Sequence, residues 1–237
     1  MSARLAASAA LLCGLALAAM SGQRALAYFY LRSAPGGTEG ALKAGAPLSP
    51  EALSRARAAY LKALRVLPGA AELQQNLGRL ELRRADAPGL TAEAREDILS
   101  DASDRFMRAI DAAPARAFPW SLAAFANAQL SAEPGQTASF LRYSYFLGPQ
   151  EASSILLRAR VALPLWDQLP DDIRADAARD LERLWLEPGL RALLAALYLD
   201  NGPSARAEIR RAILATQDDR QAFDKLLREV VASGERS

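Results

Sequence analysis

The sequence predicts an all-α protein built from antiparallel helix pairs, and three observations support this fold class. Apolar residues make up 51% of the 237 positions, which is enough to form a core, whereas aromatic residues make up only 7%. Ala and Leu, which are strong helix formers, supply most of the apolar content, and β-branched residues are few. From Ser49 onwards, helical segments alternate with short Pro- or Gly-containing breaks.

The chain begins with an apolar segment. Residues 5–22 comprise 18 uncharged, mostly apolar positions behind Arg4, which is the layout of a secretion signal or a membrane span. A small-x-small triplet that ends at Ala27 favours cleavage, whereas the aromatic run 28–30 favours retention at a membrane interface. We therefore expect residues 1–32 to form a hydrophobic N-terminal helix. It is either a single transmembrane anchor, which we favour, or a signal peptide.

A segment with the composition of a linker follows. Residues 33–50 contain three prolines and four glycines, which are residues typical of loops and flexible connections. We expect a linker over 33–49 and a folded part that begins near Ser49.

An internal repeat follows the linker. A small, large, small, Pro order occurs three times, and the first two copies share spacings of 4, 3 and 5 residues. The copies are Ala56, Tyr60, Ala63 and Pro68; Ala102, Phe106, Ala109 and Pro114; and Thr137, Leu141, Ser144 and Pro149. The second copy lies 46 residues after the first, and the third lies 35 residues after the second.

This order resembles the second helix of a tetratricopeptide repeat (TPR), in which small residues let paired helices approach and Pro ends the helix. The first helix of the repeat is matched by Leu77-Gly78, at the family's Leu-Gly pair, and by Trp120, at its Trp position. The spacing of 46 exceeds the usual period of about 34 by about 12 residues, which fits an insertion over 84–93. The resemblance covers residues 50–150 and implies a superhelical solenoid.

The resemblance weakens after residue 150. Helical segments continue over 151–237, but Arg183 lies five residues before Pro188, where a small residue is expected. We expect degenerate repeat-like helices and a capping helix in this region.

The concave face of such a solenoid commonly binds an extended peptide or a partner helix. The family's positions on that face fall on polar, basic and aromatic residues. They are Gln75, Arg79, Arg83, Ser121, Phe125, Gln129 and Arg160. A groove that contains these arginines suits a carboxylate or an acidic peptide, although solvated helix faces explain each arginine individually.

The composition excludes several chemistries. The chain has no histidine and Cys13 is its only cysteine, which excludes His-based catalysis, His or Cys metal sites and an intramolecular disulfide. No phosphate loop, nucleotide fingerprint or basic run occurs, so we expect no cofactor, no metal and no nucleic acid. The acidic pairs Asp171–Asp172 and Asp218–Asp219 keep a glycan-cleaving enzyme open, but both begin helices, where acids favour the helix dipole.

The overall layout, with tail segments Arg158-Ala159-Arg160 and Leu163-Pro164-Leu165-Trp166, also resembles small repeat proteins of bacterial exopolysaccharide biosynthesis systems. This resemblance implies an accessory scaffold, without catalysis, that holds synthesis or export proteins together at the inner membrane, with the helical domain in the periplasm. A soluble periplasmic assembly factor for envelope or cytochrome maturation, released by signal cleavage, is the alternative.

Overall fold

The structure, a computed structural model, describes residues 3–44, 46–130, 133–213 and 216–234. The described residues form twelve α-helices and two short 3-10 helices, with no β-strand among them, so the predicted all-α class is confirmed. The α-helices are α1 (Ala3–Leu31), α2 (Thr38–Ala44), α3 (Pro50–Val66), α4 (Ala71–Ala85), α5 (Ala92–Ala112), α6 (Ala117–Gln129), α7 (Pro134–Leu147), α8 (Ala152–Ala162), α9 (Asp171–Leu186), α10 (Arg191–Asp200), α11 (Pro203–Ile213) and α12 (Gln217–Gly234).

The chain divides into two compact units, Met1–Ala113 and Pro114–Ser237, here called the N-terminal and the C-terminal unit. In the N-terminal unit, α3 packs against α1 and α4, and α4 packs against α5. In the C-terminal unit, α6 packs against α7 and α8, and α8 packs against α9. The division falls inside the region 50–150 that the sequence suggested as one run of repeats.

The folded part begins earlier than the sequence suggested. Ala27, near the end of α1, is only 3% exposed, and Leu42 in α2 is only 2% exposed. Both belong to the apolar core that contains Tyr60 and Leu77. The expected linker over 33–49 therefore includes a helix, α2, whose Leu42 side chain enters the core. The Gly- and Pro-rich composition of residues 33–49 does not predict α2, because tertiary contacts rather than local helix propensity stabilise so short a helix.

The exposed apolar residues of α1 lie further towards its N-terminus. Leu11, Leu12, Leu15, Leu17 and Met20 are all exposed in the structure. Within the described part of the chain, no helix combines the length and the apolar character needed to cross a membrane.

The small and large residues of the repeated pattern lie in the cores of the two units. Tyr60 and Leu141 are buried, and so is Phe106, together with the small residues on either side of each. At Gly78, a methyl group would lie 2.5 Å from the Phe106 Cε1 atom, so only the absence of a side chain allows α4 and α5 to approach this closely. The Gly of the Leu-Gly pair and the large residue of the next helix are thus in contact.

The helix junctions that follow the pattern have a common geometry. In each unit, one four-residue junction, 67–70 or 148–151, carries Pro at its second position. The backbone N–H of the first residue of each junction donates a hydrogen bond to the backbone carbonyl of the small residue four positions earlier. Leu67 donates to Ala63, and Gly148 donates to Ser144. The carbonyl of Pro68 also accepts a hydrogen bond of 2.9 Å from the Gln74 side chain.

A buried ion pair lies where α8 crosses α9. Asp180 lies eight residues before Pro188, as Phe106 lies before Pro114, but Arg158 lies nine residues after Pro149, whereas Gly78 lies ten after Pro68. The Arg158 Nε atom donates to the Asp180 Oδ2 atom at 2.8 Å, and neither side chain is exposed. Ordinary apolar spacing therefore does not reveal this crossing, although Asp180 occupies the position that Phe106 occupies before its Pro.

Candidate partner-binding cleft

The three predicted binding residues of the N-terminal unit lie in different surroundings. Gln75 is buried, and its Oε1 atom has no hydrogen-bond partner within the described structure. Arg79 is partly buried and donates to the carbonyl of Leu42, and burial lowers the pKa of Arg79. Arg83, one turn further along α4, is partly exposed and lines a cleft.

The four predicted binding residues of the C-terminal unit also differ in exposure. Ser121 is fully buried and donates a hydrogen bond of 2.8 Å to the Phe118 carbonyl, so its hydroxyl serves helix packing. Phe125 is partly buried and packs against the apolar core. Gln129 and Arg160 are exposed. Of the seven predicted residues, Arg83 alone contributes to the cleft described next.

The cleft has a volume of about 640 Å³ and lies entirely within the N-terminal unit. The segment 47–57 forms one wall, and residues 83–90 at the end of α4 and in the following loop form another. The apolar lining includes Leu48, Leu53, Pro88, Leu90 and Ile98. We call this site the Arg83 cleft.

The expected insertion supplies much of the Arg83 cleft. Asp86, Ala87, Pro88 and Leu90 all fall within residues 84–93, which separate the two halves of the repeat. In this loop, Gly89 has a φ of 81°, a left-handed conformation that favours glycine. The hydroxyl of Thr91 then accepts a hydrogen bond from the Ala94 N–H and caps α5.

Local sequence also determines the opposite wall. The Ser49 hydroxyl accepts a hydrogen bond of 3.2 Å from the Ala52 N–H, and Pro50 occupies the first helical position of α3. The position of the helix start directs Leu53 towards the core and places Arg57, one turn later, on the lining of the cleft.

Ion pairing distinguishes the three arginines of the cleft. Glu81, whose side chain is only 2% exposed, accepts a hydrogen bond of 2.7 Å from Arg57 Nε. Its second carboxylate oxygen binds Arg84. No ion pair or hydrogen bond joins the Arg83 side chain to another described residue. Arg83 is therefore the guanidinium that a ligand could bind without breaking an existing ion pair.

Sequence reasoning missed most of this site. It selected Arg83 from the resemblance but not Arg57, Glu81 or the apolar lining. The signal that could have suggested the cleft is the insertion at 84–93, because additional length between paired helices must form a surface of its own.

Each acidic pair at a helix start includes a carboxylate that accepts side-chain hydrogen bonds. Asp172 accepts a hydrogen bond of 2.8 Å from Arg142, which lowers the pKa of Asp172. Hydrogen bonds from Thr216 and the Trp185 indole lower the pKa of Asp219. A general acid in glycoside hydrolysis requires the opposite shift. The described residues also contain no group of three or more acidic or sulfur side chains placed to hold a metal ion.

Comparison with known proteins identifies no relative of this chain. No protein-family model, no curated protein and no solved structure matches it.

Proposed function

We propose that this chain is a non-catalytic protein-interaction module of TPR-like helix pairs that acts as a scaffold in the bacterial cell envelope. A recurring position on the second helix of two crossings supports a repeat origin. Phe106, which faces Gly78, and Asp180, which binds Arg158, each lie eight residues before a Pro. Repeats of this kind provide rigid surfaces for partner proteins.

The observation that carries the binding role is the Arg83 cleft. Its volume of about 640 Å³ falls in the range of roughly 300–1,000 Å³ that is typical of ligand sites. It combines an apolar lining with one guanidinium that has no ion-pair partner within the described structure. The exposed part of the lining and the Arg83 guanidinium are both accessible to a ligand.

We further propose that α1 is retained in the mature protein. Cleavage after Ala27 would leave only residues 28–31 of the helix, too few to sustain helical hydrogen bonds. Tyr30 and Leu31, which pack against the N-terminal core, would then lose their support. The exposed apolar side chains between Leu11 and Met20 would attach the retained helix to a membrane.

An accessory role in exopolysaccharide biosynthesis or export remains part of the proposal. It rests on the resemblance of the sequence layout to small repeat proteins of those systems, with envelope or polysaccharide-assembly proteins as the partners.

The test is an affinity pull-down of the tagged full-length protein from gently solubilised envelope, with mass spectrometry of its N-terminus and its companions. An intact N-terminus with polysaccharide-assembly proteins supports the scaffold. A terminus near Tyr28 with cytochrome- or outer-membrane-maturation clients indicates the soluble assembly factor instead. Absence of any companion enriched over a tag-only control overturns the interaction role.

A further inference from the structure

We propose that the Arg83 cleft accepts a short apolar peptide segment that carries one carboxylate, and that Arg83 binds this carboxylate. The inference rests on the proposed function, because it names the part of the partner protein that the cleft recognises. It also moves the binding site from the family's concave face to a surface made by the insertion between α4 and α5.

The apolar lining favours apolar side chains in the ligand. Leu90 is 37% exposed, and Leu48 and Ile98 are partly exposed, so a ligand would remove their remaining surface from water. Such burial is favourable in proportion to the apolar area covered. A wholly polar ligand would displace water from these side chains without this gain.

The charges of the cleft favour one carboxylate in the ligand. Three arginines line it, and Asp86 and the buried Glu81 oppose them, which leaves one positive charge in excess. Because Arg57 and Arg84 already bind the two oxygens of Glu81, Arg83 is the arginine of the lining whose guanidinium is open to a ligand carboxylate. A planar guanidinium binds a carboxylate through two parallel hydrogen bonds, which gives orientation as well as affinity.

The exposure of the rim favours a peptide over a free fatty acid. Pro47, Pro50, Ala87 and Pro88 line the cleft and are solvent-exposed, so a ligand there would keep one side in water. A peptide backbone can remain hydrated along that side, whereas a fatty acyl chain would leave methylene groups in contact with water.

The same unit offers a matched control. A smaller depression of about 240 Å³ is lined by Arg65, Arg105 and Arg108 without any acidic residue. Its apolar lining, Leu61, Leu64 and Pro68, is smaller than that of the Arg83 cleft, so binding there would depend more on charge. The two sites therefore separate recognition by the Arg83 cleft from general attraction of acidic peptides to arginine.

The experiment selects phage-displayed random heptapeptides on the immobilised full-length protein and measures the selected peptides by fluorescence anisotropy. We expect them to carry Asp or Glu beside Leu, Ile or Val. Affinity should fall at least tenfold for Arg83→Gln and for Leu90→Asp, and also when the peptide's acid becomes its amide. Arg108→Gln should change affinity less than twofold, and circular dichroism verifies that each variant is folded.

Four results overturn the inference. The selected peptides could lack an acidic residue, or they could bind Arg83→Gln as tightly as the unchanged protein. Dodecanoate could instead bind in an Arg83-dependent manner while no peptide is selected, which would make the cleft a fatty-acid site. If the envelope pull-down still captures a partner equally with Arg83→Gln, the scaffold stands and the cleft assignment fails.

Discussion

Two crossings of paired helices, one in each unit, are filled by opposite chemistry. Where α4 crosses α5, Gly78 faces the buried ring of Phe106. Where α8 crosses α9, Arg158 and Asp180 form an ion pair in which neither side chain is exposed. Phe106 and Asp180 both lie eight residues before a Pro, but one side chain is aromatic and the other is acidic.

The ionic crossing requires a larger set of supporting contacts than the apolar one. Arg158 also donates to the Gly148 carbonyl at 2.9 Å, and its guanidinium lies 4.4 Å from the centre of the Tyr145 ring. A buried charge is costly unless each of its hydrogen-bonding groups is satisfied, and the junction carbonyls supply those partners. The apolar crossing needs only a close fit between Gly78 and Phe106.

The largest effect is expected from breaking the ionic crossing. Asp180→Ala leaves the guanidinium of Arg158 buried without its carboxylate, and a guanidinium does not lose its proton in proteins. We expect the free energy of unfolding to fall by about 3–5 kcal/mol, measured by urea denaturation.

The double variant Arg158→Leu with Asp180→Leu sharpens the comparison. Replacing a buried ion pair by apolar residues is often neutral or stabilising, so we expect this variant to recover most of the loss. A double variant as unstable as Asp180→Ala would show that the crossing requires ions rather than a filled volume.

The second prediction tests the apolar crossing. In an open helix, Gly→Ala stabilises by about 1 kcal/mol, but at Gly78 the added methyl group would meet Phe106 at 2.5 Å. We therefore expect Gly78→Ala to destabilise by about 1–3 kcal/mol in the same measurement. At Gly69 an added Cβ would have no atom within 4 Å, so Gly69→Ala serves as the control. Stabilisation by Gly78→Ala would contradict the close approach of α4 and α5.

The third prediction concerns the junction that supports the ionic crossing. A methyl group at Gly148 would lie 2.7 Å from the Ala117 Cβ atom, and the Gly148 carbonyl accepts a hydrogen bond from Arg158. We expect Gly148→Ala to lower the free energy of unfolding by about 1–2 kcal/mol. The backbone must shift away from Ala117, and this shift weakens the hydrogen bond from Arg158. Gly135→Ala, at a position with open space around the glycine, is the matched control. If the two variants are equally stable, the junction does not help to hold Arg158 in its buried position.

Local periodicity explains which parts of the fold the sequence could predict. The all-α class and the small and large positions around Tyr60 and Phe106 follow from spacings within one helix. The burial of Ala27 and the position of α2 depend on contacts with distant segments, which spacing does not encode. The crossing of α8 and α9 could not be predicted from the pattern, because Arg183 and Asp180 occupy the positions of its small and its large residue.

The Arg83 cleft, too, could be predicted from the sequence only in part. Arg83 could be selected from the sequence, but its role depends on Glu81 engaging both Arg57 and Arg84. The pairing of Arg57 with Glu81 joins α3 to α4, so a motif within either helix cannot predict it. The apolar lining likewise brings residues 47–57 next to residues 83–98.

The smallest expected effect comes from an ion pair of similar geometry at the surface. Arg142 Nε and Asp172 Oδ2 are 2.8 Å apart, as in the buried pair, but both side chains are at least half exposed. Solvent screens such pairs, so Asp172→Asn should cost less than about 1 kcal/mol at pH 7. Because the hydrogen bond from Arg142 lowers the folded-state pKa of Asp172, this contribution is present above the unfolded pKa of about 4. It is lost as the pH falls through the folded value, so the two proteins should unfold at the same urea concentration near pH 2. A loss at pH 7 as large as that of Asp180→Ala would show that burial does not account for the difference between the two ion pairs.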